Sequence, residues 1–384
     1  MTIRKTPNKR REKTNGSEVI NRAQEDTHNL ASHDDARAHD FKKAAMTDED
    51  WKEIDRLEQE AGPVLALSPE YQAKLDERDR LEVEAGGVLA VPKALEGRLN
   101  TRIYEEAKLA LRGAFLQTNG AEAIGKWGER YDAYASSVEA NLLDGVPFED
   151  LRQAFDDGKG RELHGDATHP PKMAAIYSSS ALVVNTFGPW YRDPSHIVVN
   201  RHRGFRTMTF EAQVPHGLKR TSPHLDLLLG ADDRVLAIES KCLEYLYLRR
   251  KPAQFAPAYD TIVDPRAQSP WFRHIAVLRK NSAHYRYLDA AQLIKHYLGL
   301  SHSEPTKSLT LLYLFWEPCN WQKYDAFRQH RAEIQAFNDV VAGDPVRFEA
   351  LSYNELWASW ERLKTPAWLP GHLQRLKARY SVEL

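Results

Sequence analysis

Hydrophobic and polar positions alternate most tellingly over residues 225–246 (LDLLLGADDRVLAIESKCLEYL), where two short apolar runs flank a polar turn. Successive side chains on a strand point to opposite faces. Val235, Ala237, Glu239 and Lys241 therefore share one face of the second run, and His224, Asp226 and Leu228 share a face of the first. A hairpin loop over residues 231–234, of a common length, sets Gly230 opposite Val235 and Asp226 opposite Glu239. Directly opposed residues lie on the same face with Cβ atoms roughly 4.5–5.5 Å apart. A one-residue slip would put the two carboxylates on opposite faces. Residues 205–214 (FRTMTFEAQV) predict a further strand with Thr209, Glu211 and Gln213 on one face, and a second antiparallel pairing would bring Glu211 beside Asp226.

The remaining patterns predict helices over residues 99–115, 121–142, 172–186, 288–300, 321–341 and 353–363, with a buried strand over 308–316 and another over 346–351. From residue 172 the order is α-β-β-β-α-β, a mixed α/β (α+β) core with its sheet flanked by helices. Residues 1–45 are polar and lack apolar periodicity, which predicts a disordered tail. Residues 46–100 hold a repeat of period 24, in which 53–67 (EIDRLEQEAGPVLAL) matches 77–91 (ERDRLEVEAGGVLAV). Two copies are too few for a self-sufficient solenoid, so this segment is expected to pack on the rest of the chain or to dock a protein partner. Residues 101–165 read as a helical region, and 166–384 as the domain that carries the chemistry.

Asp226 and Glu239 would repel each other at this spacing unless a cation stood between them. Both are hard oxygen ligands, suited to Mg²⁺ or Mn²⁺. An Asp followed on the next strand by Glu-x-Lys is how a metal-dependent phosphodiesterase holds its ions and steadies an attacked phosphate. The three letters alone are cheap: Asp40-x-Lys42, Asp50-x-Lys52, Glu106-x-Lys108 and Asp157-x-Lys159 also occur, none of them behind an Asp-bearing partner strand. The bland reading is a hairpin whose Glu239 and Lys241 form a surface ion pair.

Asp226, Glu239 and Lys241 resemble the motif of the PD-(D/E)xK nuclease superfamily, the restriction-endonuclease-like fold, over roughly residues 170–384 in segment order. The segments TFEAQVP, PHLDLLL, AIESKCLEYL, DAAQLIKHYLGL and LLYLFWEP are similar to a bacterial group of restriction-endonuclease-like proteins of unassigned specificity. The resemblance implies an αβββαβ core and a Mg²⁺-dependent (or Mn²⁺-dependent) nuclease, with DNA as the expected substrate. It implies Asp226, Glu239 and the backbone carbonyl of Ser240 as metal ligands, and Lys241 beside the attacked phosphate. Many members carry an upstream glutamate on a helix. Residues 172–186 contain no acidic residue, which leaves Glu211 as a substitute ligand. The usual Pro-Asp pair is also interrupted, since His224 and Leu225 separate Pro223 from Asp226. Gln292, with Lys295 and His296 within about one helical turn, is similar to the Gln-bearing helix of some exonuclease-like members; in the bland reading these side chains face solvent or satisfy local hydrogen bonds. His296 has no second His or Cys at ligand spacing.

Charge changes the picture only locally. The chain has 53 Lys+Arg against 54 Asp+Glu, a formal net charge of -1, which is not the signature of a DNA-coating protein. Arg203, Arg206, Lys219 and Arg220 bracket the first strand; with Lys295 they are the candidate phosphate-backbone contacts. Trp190, Tyr191, Trp271 and Phe272 are candidates to stack on bases. Two cysteines, Cys242 and Cys319, exclude a disulfide framework and suit a reducing cytoplasm. No stretch is long and apolar enough to cross a membrane. Paired cutting of a duplex would call for a homodimer or two encounters. The alternatives are a nuclease-fold nucleic-acid-binding or assembly protein without catalysis, and a protein whose main function resides in the N-terminal repeat.

Overall fold

The computed structural model describes residues 102–384 apart from 129–130, 158–161, 167–168, 219–221, 247–254, 263–264, 282–283 and 364–365. The expected tail over 1–45 and the repeat over 46–100 lie outside the described residues.

A five-stranded mixed sheet organises the chain. Its strands are β3 (Thr207–Gln213), β4 (His224–Gly230), β5 (Arg234–Lys241), β6 (Ser308–Phe315) and β7 (Val346–Ser352), in the spatial order β3-β4-β5-β6-β7. β3, β4 and β5 form an antiparallel meander, and β5, β6 and β7 run parallel. Two short strands, β1 (Val198–Val199) and β2 (His202–Arg203), pair separately. The helices are α1 (Arg102–Asn119), α2 (Phe148–Asp157), α3 (Ser179–Phe187), α4 (Pro270–Lys280), α5 (Ala290–Ser303), α6 (Asp325–Val341), α7 (Tyr353–Trp360) and α8 (Leu369–Tyr380). The mixed architecture matches the expectation from the apolar pattern. Central parallel strands must be covered on both faces. That is why β5 and β6 read as almost continuous apolar runs and are buried nearly throughout.

Apolar layers fill both sides of the sheet. Leu227, Leu229, Leu236, Ile238, Leu312 and Leu314 pack in one, and Val235, Ala237, Leu309, Leu311, Tyr313 and Phe315 in the other. The first layer contains α1, α3 and α8, and the second α4, α5 and α6. Arg379 of α8 locks the first layer. It is 1 % exposed, and its guanidinium donates to the carbonyls of Leu111 (3.2 Å) and Ile176 (3.1 Å) and to Asn141 Oδ1 (3.0 Å). It also lies over the rings of Phe115 and Tyr380. A buried cation without its hydrogen-bond acceptors would be costly; here backbone and amide oxygens tie α8 to α1 and to the chain ahead of α3.

Two expected helices differ from what forms. Residues 121–142 make short 3-10 turns and two isolated bridges, Ile124 with Ala135 and Tyr134 with Ala175. Gly120 (φ 82°) and Gly128 (φ 99°) take left-handed backbone that a helix cannot continue through. The expected helix over 172–186 is a 3-10 turn at Lys172–Ala174 followed by α3, which starts afresh where Ser178 Oγ accepts from the Ala181 N–H (3.2 Å). Helices α4 and α8 were not read from the pattern.

Candidate active site

The strand registers build the site. Pairs from Gly230↔Val235 to Leu227↔Ile238 join β4 to β5 in the register the hairpin argument predicted; the ladder ends there, one residue short of Asp226 and Glu239. On the other side, Phe210↔Leu227 and Ala212↔Leu225 bracket Glu211 and Asp226 as opposed residues. Glu211 has φ 48°, left-handed backbone in the middle of a strand. Such a conformation typically costs ~1–3 kcal/mol in a non-glycine residue and persists only where its surroundings enforce it. Its consequence is visible in the packing. Phe210 and Leu227 belong to one apolar layer while Ala212 and Leu225 belong to the other. Both strands change faces at Glu211 and Asp226, and the two carboxylates stand at the crossover.

Glu239 is deeply enclosed, its side chain 3 % exposed. Lys241, two residues on and on the same face, pairs with its Oε1. His296 of α5 brings Nε2 to 2.8 Å from Oε2. The ring N–H is not aligned for a straight hydrogen bond, and Nδ1 has no hydrogen-bond partner. Burial opposes ionisation of Glu239, but Lys241 and His296 outweigh it and hold its carboxyl well below the ordinary carboxylate range. Asp226 goes the other way: burial, and then the charge of Glu239, push it well above its ordinary value, against the pull of Lys241. Its Oδ2 accepts from the Ser240 N–H at 2.6 Å. Lys241 O accepts from Trp316 N (2.8 Å), so residues 239 and 241 turn their backbone groups to β6. Ser240, between them, turns its N–H and carbonyl to the Asp226 side, as the pleat requires. The Ser240 hydroxyl points away, bonded to the Tyr353 hydroxyl at 2.6 Å.

A fourth carboxylate joins from upstream. Glu162 lies ahead of α3, accepts from Ser180 Oγ (3.0 Å) and stands 3.6 Å from Lys172 Nζ. Burial raises its pKa. Burial, with the charges of Glu162 and Glu239, pushes Glu211 up to about 7. His224 Nδ1 lies 3.9 Å from Glu211 Oε2. Side-chain exposure falls from His224 (24 %) through Lys241 (15 %) and Glu211 (14 %) to Glu239, so the site opens on the His224 side. Sequence reasoning missed Glu162 and undervalued His296. Glu162 sits in irregular chain with no period to flag it; His296 lies on an apolar helix face, the one signal available for it.

The other predicted residues scatter. Gln292 is half-buried one turn before His296, and its N–H donates to Asp289 Oδ1. Lys295 lies over the Phe255 ring, 5.7 Å from its centroid. Arg206 pairs with Asp232 (2.7 Å), and the Arg203 carbonyl accepts from Arg234. Both arginines belong to the hairpin end of the sheet, since Thr207 pairs with Gly230. That is four residues, roughly 13 Å at ~3.3 Å per residue, from Asp226. They do not gather at the carboxylates. Lys219 and Arg220 lie outside the described residues. Trp190 (1 % exposed) and Trp271 (0 %) are core residues, the first against Trp360 and the second stacked on Tyr297, so neither can stack on a base.

The donors fit a hard divalent cation in kind. Asp226, Glu239 and Glu211 interact as neighbouring carboxylates, the Ser240 carbonyl turns to the Asp226 side, and burial, with the charge of nearby carboxylates, raises Asp226 and Glu211. Among the described residues, however, no three His, Cys, Asp or Glu side chains already converge as a metal cage. No helix among them is long and apolar enough to cross a membrane.

Comparison with known proteins places this geometry in a family. No curated protein matches the chain, and no solved structure matches it. One family model, described as restriction endonuclease associating with ARP, matches residues 108–381. This span runs from within α1 to the end of α8 and includes every carboxylate of the site, and the chain belongs to that restriction-endonuclease-like family.

Proposed function

We propose that the chain is a divalent-metal-dependent phosphodiesterase that cuts DNA internally. Membership of a restriction-endonuclease-like family supports a nuclease. The observation that supports the finer reading is the end of the β4–β5 hairpin, where Asp226 accepts from the Ser240 N–H and Lys241 pairs with Glu239. Asp226, Glu239 and the Ser240 carbonyl would hold Mg²⁺ or Mn²⁺, with Glu211 and Glu162 extending the donor set. Bound there, the ion would supply a water of lowered pKa and polarise the phosphate. Lys241, at the open side of Glu239, puts an ammonium where charge develops on the attacked phosphate. Lys172 is 61 % exposed beside Glu162 and suits a contact to the phosphate backbone.

The test is incubation with plasmid, linear duplex, single-stranded DNA and RNA, in Mn²⁺ or in EDTA, comparing the parent with Lys241→Ala. Cleavage of DNA by the parent in Mn²⁺ alone, lost in the variant, is the expected result. Cleavage that persists in EDTA or in the variant overturns the proposal. The lack of a converged three-ligand cage among the described residues favours one second reading, a nucleic-acid-binding protein of this fold without catalysis; retention of DNA without cutting in the same assay would select it. The family's description also names an association with ARP, and the segment expected to dock a partner, residues 46–100, lies outside the described residues.

A further inference from the structure

We propose that His296 is a positioning residue for Glu239, fixing the direction in which that carboxylate presents its remaining lone pairs. The proposal rests on the reading of Glu239 as a metal-binding group. An ionised carboxylate only accepts hydrogen bonds, so an attractive approach of 2.8 Å places the ring proton on Nε2. Both ring nitrogens are buried without an aligned hydrogen bond and the residue is 1 % exposed, so the approach of Nε2 to Glu239 is an electrostatic contact. A leucine would fill such an apolar helix position without leaving a buried ring nitrogen unsatisfied. The imidazole's close polar contact is one oxygen of Glu239, whose other oxygen is taken by Lys241. Together the two partners fix the plane of the carboxylate.

The helix that carries His296 is itself clamped. Asp289 caps its first turn, accepting from the Gln292 N–H at 2.9 Å. A Cβ at Gly299 would lie 2.5 Å from the Val214 carbonyl oxygen, so α5 meets the end of β3 at glycine distance. Arg266 Nη1 donates to the Leu298 carbonyl (3.1 Å), and Ser303 Oγ to that of Pro215 (3.1 Å). The same helix thus braces the strand that bears Glu211 and the carboxylate of Glu239. Partners that orient a metal-binding group typically change affinity or rate ~10–100-fold when removed.

The experiment compares the full-length parent with His296→Gln, which keeps a donor, and His296→Ala, which does not. Cleavage, Mn²⁺ affinity by calorimetry without nucleic acid, and DNA binding in EDTA are measured for each. Expected are a loss of ~10–100-fold in kcat and in Mn²⁺ affinity for His296→Ala, substantial rescue by His296→Gln, and DNA binding in EDTA unchanged within about twofold. Equal impairment of the two variants, or parent-like Mn²⁺ affinity in His296→Ala, overturns the proposal. If the parent binds Mn²⁺ but does not cleave, the nuclease reading falls while the calorimetry still decides this one. A parent that binds no Mn²⁺ overturns both. Nitrogen-15 histidine spectra of the parent give a readout independent of any variant's folding: a ring carrying its proton on Nε2 is required, and a neutral Nδ1–H tautomer refutes it.

Discussion

Replacing Asp226 by Asn should make the metal-free protein more stable while destroying its chemistry. Asp226 lies just past the last paired position of β4 and β5 and feels the charge of Glu239 on the neighbouring strand. Two unit charges about 5 Å apart in surroundings of effective dielectric constant about 20 repel by about 3 kcal/mol. Attraction to Lys241 returns part of this, yet burial and Glu239 still hold the Asp226 pKa well above its ordinary 3.8. Asparagine keeps an oxygen to accept from the Ser240 N–H and loses the charge. A net gain of about 1–2 kcal/mol near neutral pH follows, once the Lys241 attraction is subtracted from that repulsion. The sign of its pH dependence is set by the raised pKa. The folded state binds the proton more tightly than the unfolded chain, so the parent is favoured below the unfolded value near 3.8 and loses stability as pH rises through the folded pKa. The Asn variant escapes that loss, and its advantage should be small near pH 4 and grow toward neutrality. Urea denaturation in EDTA at several pH values measures it, beside a cleavage assay. A variant less stable than the parent at neutral pH, or an advantage independent of pH, would refute the electrostatic argument and make Asp226 a structural anchor for Ser240.

Lys241→Ala should lower cleavage by ~10²–10³, with DNA binding measured separately to show that contact with the substrate survives. Mn²⁺ should raise the parent's melting temperature and leave Asp226→Asn unmoved, read by calorimetric melting with and without the ion. Gly299→Ala should cost about 1–3 kcal/mol, the usual range for overpacking, because its Cβ would meet the Val214 carbonyl oxygen at 2.5 Å; chemical denaturation reads it. Acid should destabilise the fold through buried neutral histidines: burial and then Arg331 hold His330 down to about 3, and burial holds His274 and His372 down to about 4. The unfolded chain takes up protons below about 6.5 and the folded state does not, so stability falls as pH drops from there. For His330 alone the loss between pH 7 and pH 5 is about 2 kcal/mol, and His330→Asn should flatten that slope in denaturation curves.

The meander was legible because period-2 alternation and a short polar turn determine register. Gly230 opposite Val235 follows from the chain itself, and the register holds as far as Leu227 opposite Ile238. Helical stretches with a broken period were not legible. Residues 121–142 carry helix-forming composition, but the glycines at 120 and 128 adopt left-handed backbone that only the folded surroundings select. The site was legible where it lies on strands and hidden where it depends on long-range packing. Glu162 reaches the carboxylates from irregular chain, and His296 from a helix whose apolar face looks like plain core. Arg203 and Arg206 are near β3 in sequence, yet strand direction carries them to the hairpin end. Trp190 and Trp271 look like base-stacking candidates by composition and are consumed by the interior.

The bond network of Arg379 has a consequence for how the molecule is made. The residue that gathers the carbonyls of Leu111 and Ile176 and the amide oxygen of Asn141 is synthesised after all three of them. Until then three oxygens wait without their shared donor, and the layer beneath β4 and β5 lacks its closing helix. A message truncated ahead of residue 369 would yield a chain with its acidic residues translated but no finished frame to hold them apart, and quality-control proteases would meet it as an incomplete fold.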